Sequence, residues 1–279
     1  MKKILLLCCL ALFHPVAFAV DISVGSTRLS IPTPSGFDPI TSEMAPYAKL
    51  AQRFVPPSNE QFVLLLPSAD AAIAAKGQIP ESTRRFYVQT TKELIQPFVS
   101  AHDFAELKRM IKTQNEEILR KAEAQMPGLL QAVNQGISKD YELDLGLSMA
   151  QMLPLPPHYE TERGLAYSMI LKYNVNDENG KPSVFEGVVT ATFVHLQGKV
   201  LFLYANAEKS GLEWSRMESQ KWADMIIAAN PSVGAIAVRE ASKRQSGFDW
   251  SKVLEKAVVG AIIGGLIGLL GYVFRKKKG

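Results

Sequence analysis

Two long apolar runs bracket the chain, and the hydrophobic positions between them change period several times. The first run spans Ile4 to Phe13; the second, Ala257 to Phe274, has 18 consecutive uncharged residues followed at once by Arg275, Lys276, Lys277 and Lys278. In the interior, Phe104, Leu107, Ile111, Ile118 and Ala122 recur at three- and four-residue steps, which predicts an amphipathic helix starting near His102. Met126-Pro127-Gly128 is expected to interrupt it, with LLQAVNQG as a shorter second helix. Strands are predicted for QFVLLLP (61–67), RRFYVQTT (84–91), GLAYSMILKYNV (164–175), VFEGVVTATFVHL (184–196) and KVLFLYANA (199–207), which are rich in β-branched, aromatic and aliphatic residues. The last two flank Gln197-Gly198, a connection short enough for an antiparallel hairpin.

Weaker signals fill in the order. Leu29 to Ile31 reads as a short strand, and Ser42 to Phe54 as a helix stopped by Pro56-Pro57. SADAAIAAKGQIPES reads as a loop with a helical turn, and Leu143, Leu145, Leu147 and Met149 alternate as one face of a further strand. The last interior helix is expected from Gly211 to Ala229. Ser210 and Glu213 form a capping-box pattern at its start, and Leu212, Met217, Trp222, Met225, Ile226 and Ala229 form its buried stripe. Taken together, the elements predict an α+β fold: a mostly antiparallel sheet flanked by helices, α/β/α sandwich-like, plus one C-terminal transmembrane helix.

The terminal runs assign compartments. Lys2 and Lys3, the Ile4–Phe13 run and Ala17-Phe18-Ala19 have the three parts of a secretory signal, with cleavage expected after Ala19. At 1.5 Å per residue the C-terminal run makes about 27 Å of helix, close to the thickness of a bilayer core. A helix apolar all round must otherwise be buried on every side. The expected organisation is a signal peptide (1–19), an exported α+β domain (20–231), a juxtamembrane tether (232–256), a transmembrane helix (257–274) and a cytoplasmic basic tail (275–279). That is a single-pass protein of the bacterial inner membrane, its domain periplasmic and its basic cluster inside. Within the span, Gly260, Gly264 and Gly268 recur every fourth residue as a glycine zipper. One reading makes the strip a helix–helix interface for self-association; the other is a single span that tolerates glycine.

Composition narrows the chemistry. Six of the 31 basic residues lie in the terminal segments, leaving 25 against all 27 acidic residues, a net of −2, between Val20 and Lys256. The basic balance therefore belongs to targeting, and nucleic acid is not an expected partner. Both cysteines, Cys8 and Cys9, lie in the leader, so the mature chain offers no disulfide and no thiolate. His102, His158 and His195 show no metal-ligand spacing, and no nucleophile elbow, P-loop or dinucleotide fingerprint appears. His195 sits between Val194 and Leu196 in a predicted strand, as a structural residue would. Trp214 and Trp222, roughly 80° apart on the last helix, are expected in the core or on a ligand shelf. No catalytic, metal or cofactor residues are predicted.

The opening LSIPTPSGF and the closing VVTATFVHLQGKVLFLYANAEKSGLEWSRMESQKWADMIIAAN resemble the PsbP-like proteins, including bacterial envelope members. That resemblance implies an α/β/α sandwich used for binding or assembly without a shared catalytic set, so no site residue is carried over from it. The functional expectation is a membrane-anchored envelope protein whose exported domain binds a protein or ligand in envelope assembly or maintenance, with an unidentified envelope protein and the lipid bilayer as partners. The alternative is an envelope hydrolase whose site is assembled from residues distant in sequence.

Overall fold

The computed structural model describes residues 18–141, 144–176, 180–232 and 247–268. Its centre is an antiparallel sheet in the order β3-β4-β5-β10-β9-β8-β6, with a short β7 also paired to β8. The strands are β3 (Phe37–Pro39), β4 (Asn59–Pro67), β5 (Arg85–Thr91), β6 (Ser148–Pro154), β7 (Tyr159–Glu160), β8 (Gly164–Asn176), β9 (Pro182–Leu196) and β10 (Lys199–Glu208). A separate hairpin, β1 (Ala19–Val24) and β2 (Thr27–Pro32), forms its own two-stranded sheet. The β9–β10 turn places Gln197 at φ 50° and Gly198 at φ 81°, the positive pair of a type I′ two-residue hairpin.

Because side chains alternate across a strand, each strand feeds two cores. On one face Leu201, Leu203, Phe86 and Val88 pack with Trp222, Ala223, Ile226 and the β1–β2 hairpin. Trp222 is 1% exposed and its indole N–H donates to the Pro32 carbonyl at 2.8 Å, tying α4 (Leu212–Ala229) to β2. The opposite face lies under α1 (Tyr47–Gln52), α2 (Ser68–Ala75), α3 (Ala101–Tyr141) and a last helix, α5 (Trp250–Gly265). Coverage on both sides explains why β5 and β10 are buried along nearly their whole length instead of alternating between core and water.

The structure departs from the sequence expectations in specific places. The long helix does not stop at Pro127. Met126, Leu130, Val133 and Ile137 continue the buried stripe across it, while Pro127 sits on the exposed side, where the carbonyl it frees can face water. Its one non-helical residue is instead Gln114 (φ −125°, ψ 15°). The expected capping box is absent: a 3₁₀ turn over Lys209–Gly211 moves the N-cap to Gly211, and Ser210 makes no cap bond. Met217, placed in the buried stripe, is 51% exposed, and the sheet-facing positions of α4 include Ser215 and Ser219, whose hydroxyls meet Thr190 and Thr192. α1 is shorter than Ser42–Phe54, starting after Pro46. The strand expected around Leu143 to Met149 begins only at Ser148, and Leu143 itself lies outside the described residues. Gly128 in α3 has open space where a methyl group would go, so Gly128→Ala should raise stability by about 0.5 to 1 kcal/mol, read as a higher denaturant midpoint with an unchanged slope.

The largest departure concerns the C-terminal run. Residues 250–256, expected in a tether, form the first turns of α5, and Trp250, Val253, Leu254, Ala257, Val258, Ala261, Ile262, Leu266 and Ile267 are buried in the domain. Among the described residues no helix is long and apolar enough to cross a membrane. The remainder of the expected span, 269–274, lies outside the described residues, as do the signal segment up to 17, most of the expected tether (233–246) and the basic tail. The physical reason for the burial is the one that suggested a membrane: a helix apolar all round needs cover on every side, and here α3 and the sheet supply it.

Candidate functional site: a groove that holds a helix by its backbone

α5 lies parallel to α3. Lys121 reaches Ser251 at 3.4 Å and Gln125 bonds Glu255, the same offset of 130 residues in both pairs, and Ile263 shares a cleft with Leu129 and Val133 two turns further on. Its other side rests on the sheet. There the even alternation of β5 puts Arg85, Tyr87 and Gln89 on one face, joined by Tyr204 and Asn206 of β10, Tyr173 of β8 and Asn59 of β4. A polar strip of this kind would normally face solvent. Here it is the floor of a groove filled by a helix buried on nearly every side from Ala257 to Gly265.

The floor bonds to the helix backbone. Tyr204 donates to the Ala257 carbonyl at 2.7 Å and Tyr173 to Ile262 at 2.8 Å, while Tyr87 lies 3.3 Å from both Gly260 and Ala261 carbonyls. Asn59 donates to the Lys256 carbonyl at 3.2 Å and to Gln89 at 3.0 Å. Arg85, 2% exposed, donates to the Gly265 carbonyl at the C-terminal end of α5. Helix carbonyls have a second lone pair free, and those of the last turn have no intrahelical partner, so these donors need not break the helix.

The glycine strip makes such an approach feasible. A Cβ on Gly260 would come within 2.6 Å of both Asn59 and Gln89; one on Gly264 would overlap the Tyr87 hydroxyl, and one on Gly268 the Arg85 guanidinium. The three residues predicted as a helix–helix face point at strand side chains of the same chain. The missing side chains let hydroxyls and a guanidinium touch the backbone.

The electrostatics of the floor are unusual. Burial lowers the affinity of Arg85 for its proton; among the described residues no carboxylate pairs with it and its Nε and Nη1 have no hydrogen-bond partner. What compensates the charge is the negative end of the α5 dipole, worth up to about 2 kcal/mol in a buried setting. Burial also raises Tyr87, Tyr173 and Tyr204 well above the ordinary phenol range, so they remain donors at any physiological pH. The N-terminal end of α5 carries side-chain contacts as well: Lys256 pairs with Glu93 at 2.6 Å, and Asp249 caps the helix by accepting from the Lys252 amide.

His195 donates from Nε2 to the Val99 carbonyl at 2.8 Å and stacks on Phe104, and burial lowers its pKa. His102 is exposed on the first turn of α3. Ser168, Thr190 and Ser215 form a buried hydroxyl chain, bonded to one another and, at Ser168, to Arg216 Nε. Trp222 is in the core and Trp214 packs on Phe86 and Phe37 with Arg84 over its ring, so they form no shared shelf. Among the described residues no three His, Cys, Asp or Glu side chains cluster to hold a metal.

His158 differs, because both of its ring nitrogens lack a partner among the described residues. Burial, with a smaller push from Arg216, lowers its pKa to about 4 against an opposing pull from Glu213. The unfolded chain takes up a proton below about 6.5 while the folded one does not, so this residue makes the fold lose stability as pH falls from about 6.5 toward 4. His158→Gln should flatten that part of the pH–stability curve, measured by urea midpoints at pH 7 and pH 4.5.

The groove residues were not marked in the sequence as a site, although Arg85-Phe86-Tyr87-Val88-Gln89 alternates polar and apolar in the manner of a two-faced strand. No protein-family model matches the chain and no curated protein matches it, so the role of the groove has to be argued from its own residues.

Proposed function

We infer that this is a non-catalytic envelope protein whose domain shelters its own apolar C-terminal helix and releases it to a bilayer as an anchor. The observation that carries the reading is the floor of the groove: five residues on four strands, Asn59, Arg85, Tyr87, Tyr173 and Tyr204, direct their donors at the backbone of one helix. That helix belongs to an 18-residue uncharged run followed by four basic residues, the pattern that anionic lipid takes up with the charges left at its surface. The resemblance to PsbP-like domains fits a binding or assembly role, and the leader-like N-terminus fits export to the envelope.

Groove and bilayer weigh the same substitution oppositely. A leucine at position 264 collides with Tyr87 in the groove but is welcome in hydrocarbon. Gly264→Leu is therefore expected to move the full chain from the soluble to the floating fraction with phosphatidylethanolamine/phosphatidylglycerol vesicles, several-fold over the unmodified chain. An equal distribution of the two would defeat the reading.

A further inference from the structure

We propose that the groove is a receptor site for the C-terminal helix of a second copy of this chain, filled in trans when a copy's own helix is in the bilayer; this rests on the anchor reading above. The floor recognises a helix through features any copy carries. Its bonds go to the carbonyls of Lys256, Ala257, Gly260, Ala261, Ile262 and Gly265, so they require close backbone approach, which glycines at 260, 264 and 268 permit.

The charges around the groove then select this helix over other glycine-strip helices. Glu93 receives Lys256 and Gln125 receives Glu255, two adjacent residues of opposite charge just ahead of the apolar run. A helix without a Glu-Lys pair at that place leaves both contacts unmade. The second copy supplies it in register.

An emptied groove has reason to refill. Withdrawal of α5 uncovers three tyrosine rings and Arg85, whose guanidinium loses both its acceptor and the helix dipole that offsets its charge. While a chain's own helix is docked, the covalent connection keeps it at a high effective concentration and a second copy does not compete. Once that helix is held by lipid, the competition ends. A copy whose helix has left its own groove and has not yet entered lipid can then insert it into the groove of an anchored one, an exchange of identical elements that needs no new surface.

Cys8 and Cys9 are the only cysteines of the chain, so replacing both by serine in every chain used leaves the test free of other thiols. Full chains carrying either Gln125→Cys or Glu255→Cys are mixed in equal amounts, with and without phosphatidylethanolamine/phosphatidylglycerol vesicles, and treated with a short bismaleimide. The expected result is a vesicle-dependent dimer joined from 125 to 255, identified by mass spectrometry and reduced at least tenfold when the Glu255→Cys chain also carries Gly264→Leu. Dimers joined only 125 to 125 or 255 to 255, or a 125–255 yield untouched by Gly264→Leu, would overturn the proposal. Flotation of the same samples separates the two claims: floating chains without the 125–255 link refute the exchange alone, whereas the link without flotation refutes the anchor and, with it, the bilayer as the trigger of the exchange.

Discussion

Replacing Gly264 by leucine is expected to cost the fold about 2 to 4 kcal/mol, seen as a melting temperature lower by several degrees. Helix propensity alone argues the other way, since leucine is better than glycine in a helix interior by somewhat under 1 kcal/mol. The collision decides the sign. The Tyr87 ring is fully buried, stacked at 4.6 Å on Tyr204 and flanked by Arg85 on its own strand, so it has nowhere to move. Either α5 lifts off the sheet or the sheet deforms, and both forfeit the bonds from Tyr87, Tyr173 and Tyr204. Gly264→Ala should follow the same direction with a smaller loss. A melting temperature at or above that of the unmodified chain would mean that α5 is not packed in the groove.

Trp222→Ala should cost a similar or larger amount, about 3 to 5 kcal/mol, the usual range for emptying a buried aromatic site. The side chain packs on Phe86, 4.9 Å between ring centroids, and its N–H holds the Pro32 carbonyl at the end of the β1–β2 hairpin. The loss is therefore expected to be local before it is global: limited proteolysis should cut within 19–32 faster in the variant. Trp222→Phe, which keeps most of the packing but drops the N–H, should lose roughly 1 kcal/mol. Equal proteolysis of Trp222→Ala and the unmodified chain would show that the hairpin is held by something else.

The strands were legible because period and β-branched content agree with the tertiary setting. VFEGVVTATFVHL and KVLFLYANA appear where expected, within two residues at each end, with their turn at Gln197-Gly198. Strand β1 was missed because AVDISV runs straight out of the leader, whose unbroken apolar run masks the alternation that begins behind it. Pro127 misled because a proline costs a helix least where the freed carbonyl can face water and the flanking stripe stays buried, and sequence does not say which side faces water. Ser215 and Ser219 were passed over for a similar reason: a hydroxyl is a core residue when another hydroxyl waits across the interface, as Thr190 and Thr192 do.

The groove was the least legible part. Each half of it is misleading alone. RFYVQTT looks like a strand with a solvent face, and AVVGAIIGGLIG looks like a segment with no tolerance for polar company. Only their juxtaposition shows that the polar side chains of one address the backbone of the other, and that the glycines are spaced for it. Local pattern reports the environment a segment would choose by itself, not the partner the fold brings to it.

The placement of the tryptophans gives the molecule a built-in optical label. There are three in the chain, and two of them, Trp214 and Trp222, lie on the face of the sheet opposite the groove. Trp250 alone marks the helix, 3% exposed at its first turn and 4.8 Å from the ring of Phe248. With Trp214 and Trp222 replaced by phenylalanine, the emission maximum and acrylamide quenching would report the surroundings of a single indole. Water, lipid and the protein interior then become three distinguishable colours for the whereabouts of one helix.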